Sequence, residues 1–255
     1  MSQAALAVVD LRISVPGRTL VDGFSCALAA GDFVALLGGN GAGKSLLLRT
    51  LAGLRAPAHG TVQLGGTALS RLARRDIATR LGFLPQDPDA APQGVLAESV
   101  LLGRFAHLGL LETPGLADEA RAKAALEQVG LAALSDRELA TLSGGEQRRA
   151  AIARLLVQAP SIYLLDEPTN HLDPAQQLAI LEHLKSLARD GATVIASLHD
   201  PNLALRFANR ACLLSGDGRA ELLSIAELDA PRLGALYGVG FVEARVGAQR
   251  IVATA

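Results

Sequence analysis

Gly38-Gly39-Asn40-Gly41-Ala42-Gly43-Lys44-Ser45 sets glycines, a lysine and a hydroxyl in the spacing G-x-x-x-x-G-K-[ST]. Residues of these types at this spacing hold phosphates. The glycines let backbone amides converge on the β- and γ-phosphates of a nucleotide, and a helix beginning near Lys44 adds the positive end of its dipole. Lys44 brings a point charge to the phosphates, and the Ser45 hydroxyl is a ligand for Mg²⁺. A second constellation is Ile162-Tyr163-Leu164-Leu165-Asp166-Glu167, an apolar run ending in two acids. There Asp166 is placed to bind Mg²⁺, directly or through water. Glu167 is placed to act as general base toward an attacking water, a role worth roughly 10²–10⁴ in rate. Alone, two acids after a buried strand are common; beside a phosphate loop they complete a nucleotide site.

These groups need a scaffold, and the chain provides its pattern. Leu6 to Val15 and Thr19 to Leu28 alternate around a Pro16-Gly17 turn, as a β-hairpin does. Phe33-Val34-Ala35-Leu36-Leu37 is a continuous apolar run, the mark of a strand buried on both faces, and Lys44 to Leu54 reads as a helix closed by Gly53. Strand, loop and helix are the context that a phosphate-binding loop requires. Between about Gln86 and Gln158 the composition turns helical, over Leu96 to Arg104, Ala117 to Val129 and Gln147 to Gln158. Buried strands return at Ile162 to Leu165 and Thr193 to Leu198, separated by a helix from Pro174 to Ala188 that starts on proline. A small helix is predicted near Pro231 to Tyr237. The pattern is α/β with a helical insertion.

The chain has 255 residues, half of them hydrophobic and 19% charged, with 24 Lys plus Arg against 25 Asp plus Glu. That balance argues against a chain built to coat nucleic acid, and 3% aromatic content argues against a base-stacking platform. Cys26 and Cys212 fit no C-x-x-C pattern and read as buried thiols. No run approaches the ~18 apolar residues of a membrane span. The apolar N-terminus is broken by Asp10 and Arg12 and reads as a strand rather than a signal peptide. Any membrane this chain serves is expected to belong to a partner.

Set in order, these motifs resemble those of the nucleotide-binding subunits of ATP-binding cassette (ABC) systems, over nearly the whole chain. The phosphate loop is Gly38 to Ser45. A Q-loop glutamine, Gln86, stands in Leu84-Pro85-Gln86-Asp87, and a signature runs Leu142-Ser143-Gly144-Gly145-Glu146-Gln147-Arg148. The acidic strand end is Asp166-Glu167, a D-loop follows as Asn170-His171-Leu172-Asp173, and a switch histidine, His199, lies in Leu198-His199-Asp200. The resemblance implies a P-loop NTPase (RecA-like) core with an N-terminal antiparallel β subdomain, over residues 1–86 and 159–255, and a helical signature subdomain inserted over residues 87–158. It implies ATP and Mg²⁺ as ligands and Glu167, His199 and Gln86 as the catalytic set. Nucleotide contacts are expected from Gly38, Gly39, Asn40, Gly41, Ala42, Gly43, Lys44, Ser45 and Leu46. Ser143, Gly144, Gly145 and Asp173 are expected to meet the nucleotide held by a second copy, so that a homodimer encloses two ATP. Ser45, Gln86 and Asp166 are the expected metal ligands.

Departures from the family's pattern are informative. Leu46 stands where a threonine hydroxyl is common, a loss of about 0.5–1.5 kcal/mol per neutral hydrogen bond, which predicts weaker nucleotide affinity rather than loss of activity. Gly39 replaces a common proline, and Val15 and Pro16 stand where an aromatic usually stacks on adenine. The segment Glu98 to Gly109, with Gly103-Arg104 and His107, is similar to a stretch in the ATPases of haem, ferric-siderophore and cobalamin importers, with Ala106 in place of a proline. Tyr237-Gly238-Val239 resembles that group too. The implied partners are integral-membrane permease subunits docked near Gln86 and, indirectly, a periplasmic binding protein; no nucleic acid is implied. The implied location is the cytoplasmic face of the inner membrane. A soluble cassette ATPase of the iron–sulfur assembly type, without a permease, is the alternative, and a non-hydrolysing regulatory cassette is a third reading against which Glu167 and His199 stand. His171 is expected at a variable D-loop position, and His107 facing solvent or a partner.

Overall fold

A computed structural model describes residues 4–86, 94–109, 111–247 and 249–255. In chain order it begins β1 (Leu6–Val15), β2 (Arg18–Leu28), β3 (Phe33–Leu37), α1 (Lys44–Leu51), β4 (His59–Leu64), β5 (Thr67–Ala68), α2 (Arg74–Arg80) and β6 (Leu81–Leu84). The helices α3 (Leu96–Leu101), α4 (Leu116–Gln128) and α5 (Gly144–Gln158) follow, and then β7 (Ile162–Leu165), α6 (Pro174–Arg189), β8 (Thr193–Ser197) and α7 (Pro201–Phe207). The chain closes with β9 (Arg210–Leu214), β10 (Ala220–Ser224), α8 (Ala230–Tyr237), β11 (Phe241–Val246) and β12 (Gln249–Thr254).

The continuous apolar runs become the central sheet, of order β10-β9-β3-β8-β7-β6, parallel throughout except for β10. Residues in these strands alternate between two cores because side chains alternate across a pleated sheet. Phe33, Ala35 and Leu37 of β3 join Tyr163, Leu165, Val194, Ala196, Ala211 and Leu213 on the face covered by α3 to α7. Val34 and Leu36 join Ile162, Leu164, Ile195, Cys212 and Leu214 on the opposite face. That second face packs on α1 and on an antiparallel sheet of order β2-β1-β4-β5, whose alternating strands give it Leu6, Val8, Leu11, Ile13 and Phe24. A separate two-stranded sheet, β11-β12, stands at the C-terminus.

Element boundaries shift where caps act. The helix expected to run to Leu54 ends at Leu51, because Gly53 takes a left-handed φ of 68° and terminates it. α5 begins at Gly144 rather than Gln147. Ser143 caps it through the Glu146 amide at 3.3 Å, and the Glu146 carboxylate returns to the Ser143 amide at 2.7 Å. The expected helix over Leu96 to Arg104 splits into α3 and a tight 3-10 turn over Leu102–Ala106. α2 and α7 were not foreseen: each has only seven residues, too few for a periodic apolar stripe. Asp87 of the Q-loop segment lies outside the described residues.

Candidate functional site

Strands β3, β6, β7 and β8 run parallel, so their C-terminal ends emerge on one edge of the sheet. In sheets of this kind ligands bind outside that edge. The four strand ends lead into Gly38, Gln86, Asp166-Glu167 and His199 respectively.

The loop after β3 is shaped by close approach. A Cβ on Gly38 would lie 2.5 Å from the Leu214 carbonyl oxygen, and Gly43 adopts a φ of 102° with Leu20 against it. Neither position tolerates a side chain. Lys44 folds back over the loop and donates from Nζ to the Gly38 carbonyl at 2.8 Å and the Gly39 carbonyl at 3.2 Å. Burial lowers the Lys44 pKa below its ordinary value, opposed by the negative charges of Glu167 and Asp166. A cavity of about 490 Å³ opens here, lined by Leu20, by Asn40 to Leu46, and by Gln86, Glu167 and His199. Val15 and Pro16 do not line it.

Glu167 sits at a φ of 52°, a left-handed conformation that a glutamate adopts only when its surroundings enforce it. Its carboxylate is surrounded by donors: Gln86 Nε2 at 3.1 Å and Asn170 Nδ2 on Oε2, and His199 Nε2 at 2.7 Å from Oε1. Asp166, beneath it and 1% exposed, accepts from Ser197 Oγ at 2.8 Å. The same Ser197 hydroxyl accepts the Glu167 amide at 2.7 Å. One buried serine thus fixes both acids. The oxygen donors of Ser45, Gln86 and Asp166 suit a hard divalent cation, which takes hydroxyl, carbonyl and carboxylate ligands.

Arg148 is the other buried brace. Its guanidinium donates to the carbonyls of Pro85 (2.5 Å), Gln86 (3.2 Å), Asp166 and Glu167 (2.8 Å). Helix α5 is thereby tied to the strand ends that carry Gln86 and the two acids. The motifs mark Arg148 only as the end of the signature and Asn170 only as the start of the D-loop, and they do not reach Ser197. Their sequence signals are a lone arginine on a face otherwise carrying Ala and Ile, and a serine closing an apolar strand.

Several expected residues lie apart from the cavity within this chain. Ser143 and Gly144 are exposed at the head of α5, and a Cβ on Gly145 would lie 2.7 Å from the His171 carbonyl oxygen, so the signature packs against the Asn170–Asp173 turn. Asp173 caps α6 through the Gln176 amide at 2.8 Å. His171 is exposed, with a left-handed φ of 62°. The expectation of a solvent- or partner-facing His107 is corrected. That side chain is half-buried, with Nε2 2.8 Å from the Gln158 carbonyl, because the last carbonyls of α5 lack intrahelical partners. Cys212 is buried and Cys26 half-buried, both as free thiols.

Residues 21–170 match the ABC transporter family. The chain is 44% identical over 211 residues to the hemin import ATP-binding protein HmuV of Rhodopseudomonas palustris (strain ATCC BAA-98 / CGA009), covering 80% of this chain and 76% of that protein. It is 39% identical over 209 residues to the ferric enterobactin transport ATP-binding protein FepC of Escherichia coli (strain K12), covering 82% and 77%. A solved structure described as an inward-facing ABC transporter of metal-chelate type superposes with a TM-score of 0.83 at 29% identity, covering 99% of this chain and 97% of that one.

Proposed function

The chain belongs to the ABC transporter family and is an ATPase by family, and from that premise we propose that it powers an importer of iron chelates, with haem or a ferric siderophore as the cargo class. The observation that carries the catalytic part is the Glu167 carboxylate, which faces the phosphate-loop cavity among Gln86, Asn170 and His199. The relatives' names carry the transport part. They favour an importer over an iron–sulfur assembly ATPase.

ATP is the substrate, with its β- and γ-phosphates against the amides of residues 39–45 and Lys44 drawn from the loop carbonyls onto phosphate oxygens. Mg²⁺ held by Ser45, Gln86 and Asp166 would neutralise charge between those phosphates. His199 turns from Glu167 toward the γ-phosphate, which frees Oε1 to accept a proton from water. The water oxygen then bonds to phosphorus, the bond to the β-phosphate oxygen breaks, and ADP leaves. Ser143 and Gly145 lie outside the cavity of their own chain, and their donors reach the γ-phosphate of a second copy, as a helix N-terminus holds an anion, with Gly144 and Asp173 alongside at that nucleotide. Homodimer closure then displaces permease subunits docked near Gln86, and hydrolysis resets the pair. The chain acts from the cytoplasmic face of the inner membrane, and a periplasmic binding protein presents the cargo on the far side. Among the described residues no helix is long and apolar enough to cross a membrane, as an arrangement with a separate permease requires.

The test is Glu167→Gln. It should abolish turnover while ATP still traps a dimer visible by size exclusion, and undiminished hydrolysis would overturn the assignment of the base. Purification of the chain from native membranes in mild detergent should bring down a many-spanning permease. Recovery with soluble scaffold proteins alone would replace the importer reading with the assembly-type one.

A further inference from the structure

His199 is held from its front by Glu167, but what fixes the segment that carries it lies behind. The residues after it turn directly into α7. Asp200 caps that helix by accepting the Asn202 amide at 2.8 Å, and Pro201 takes its first position. The Asn202 side chain then faces away from the nucleotide cavity, toward the last strand of the chain. Its Nδ2 donates to the Val252 carbonyl at 3.1 Å, and its Oδ1 accepts the Val252 amide at 2.8 Å. A single carboxamide therefore satisfies both backbone groups of one residue of β12, as a neighbouring strand would. Val252 is 5% exposed and belongs to the same core as Leu198, Ala204 and Phe207. The tie is anchored in packed structure at both ends.

α8 packs on the same unit through Tyr237, whose hydroxyl is buried without a hydrogen-bond partner among the described residues. Its ring stacks obliquely on Phe241 of β11, with centroids 6.0 Å apart. The unit formed by α8, β11 and β12 is itself braced. Glu243 Oε1 accepts the Ala230 amide at 2.7 Å, and Arg250 reaches the carbonyls of Ala226 (3.1 Å) and Leu228 and the Glu243 carboxylate (3.7 Å).

We propose that Asn202 is a positioning residue for His199, through which the C-terminal α8–β11–β12 unit sets the reach and timing of the switch histidine. The inference rests on the hydrolytic reading of Glu167 and His199 above. Asn202 does not line the nucleotide cavity, so it does not touch ATP. Its effect is confined to the segment Leu198 to Asn202, whose pivot moves His199 between Glu167 and the γ-phosphate. A loose pivot spends less time with the imidazole aligned, which lowers kcat without weakening nucleotide binding.

The test uses the full-length chain, with ATP turnover measured as steady-state and single-turnover rates. Asn202→Ala should lower kcat about five- to tenfold, the low end of the scale of two lost neutral hydrogen bonds, with the KM for ATP within about twofold of wild type. In a His199→Ala background Asn202→Ala should not lower the rate further, because the residue through which it acts is gone. Amide hydrogen exchange should quicken over residues 198–204 in Asn202→Ala, with β3 and β7 as protected as in wild type. Rate losses that multiply with His199→Ala, or kcat and KM that move together, would overturn the proposal. So would unchanged exchange over residues 198–204. A wild-type chain that hydrolyses no ATP would instead sink the hydrolytic reading, and the exchange comparison would still judge the tie.

Discussion

Removing the Arg148 guanidinium should both destabilise the chain and disable it. Arg148 is 7% exposed, and its fork reaches four carbonyls on two strand ends. Hydrogen bonds to a charged group contribute about 1.5–3 kcal/mol each. In Arg148→Ala, water can refill around the exposed Gln86, and the Glu167 carbonyl keeps the Asn170 amide at 3.2 Å, so part of the loss is recovered. The Asp166 carbonyl, on a residue 1% exposed, has no such access. Counting two uncompensated bonds gives a loss of about 3–6 kcal/mol. For a chain of this size each kcal/mol moves Tm by about 2–4 °C, so calorimetry should show a fall of roughly 6–24 °C. Arg148→Lys keeps the charge but loses the fork and should fall about half as far. Turnover, measured well below the lower Tm, should drop at least about tenfold in Arg148→Ala, since the backbones of Gln86, Asp166 and Glu167 lose a common anchor. An Arg148→Ala protein that melts within about 2 °C of wild type and turns over at the wild-type rate would refute the reasoning.

Ser197→Ala removes the hydroxyl shared by Asp166 and the Glu167 amide and leaves a buried donor unpaired. It should cost about 1–3 kcal/mol by urea unfolding and lower turnover, and a neutral result would mean that the two acids hold their places without it. Ser143→Arg should block ATP-driven dimerisation in the Glu167→Gln background while single-subunit ATP affinity stays near wild type; loss of binding to the monomer would place the signature in its own chain's site. The Ser143 amide and hydroxyl hold the Glu146 carboxyl pKa below its ordinary value of 4.5. A carboxyl lowered by folding stabilises the fold fully above its unfolded pKa and loses that contribution as pH falls through the folded one. The urea midpoint of wild type should therefore exceed that of Glu146→Ala by a constant margin at pH 6–8 and converge with it below pH 4.5. A margin independent of pH would show that the carboxylate charge has no part in the cap.

Much of the site was legible because its groups act through local backbone. A phosphate loop is a strand, a run of glycines and a helix start, all contiguous, and the apolar run Phe33 to Leu37 announced its strand at the observed boundaries. The same holds for Ile162 to Leu165 and the acids that follow, since a strand buried on both faces must be apolar throughout. Shorter elements escaped for want of length: seven-residue α2 and α7 offer too little periodicity to stand above composition. His107 was misplaced because a histidine that closes a helix C-terminus looks, in sequence, like any surface histidine.

By itself the sequence determined the order of the motifs, the α/β alternation and the identity of the groups that could bind phosphate or move a proton. It did so because each motif is a short segment whose backbone conformation depends on its own glycines, caps and apolar period. Only the tertiary structure decided which of these groups meet. Glu167 faces Gln86, which stands 81 residues earlier, because β6 and β7 are parallel neighbours. It faces His199 because β8 lies on the other side of β7. Arg148 serves two strand ends, and Asn202 grips a strand 50 residues later. Such contacts depend on sheet order and helix packing, and those minimise the free energy of the whole core rather than of any one segment.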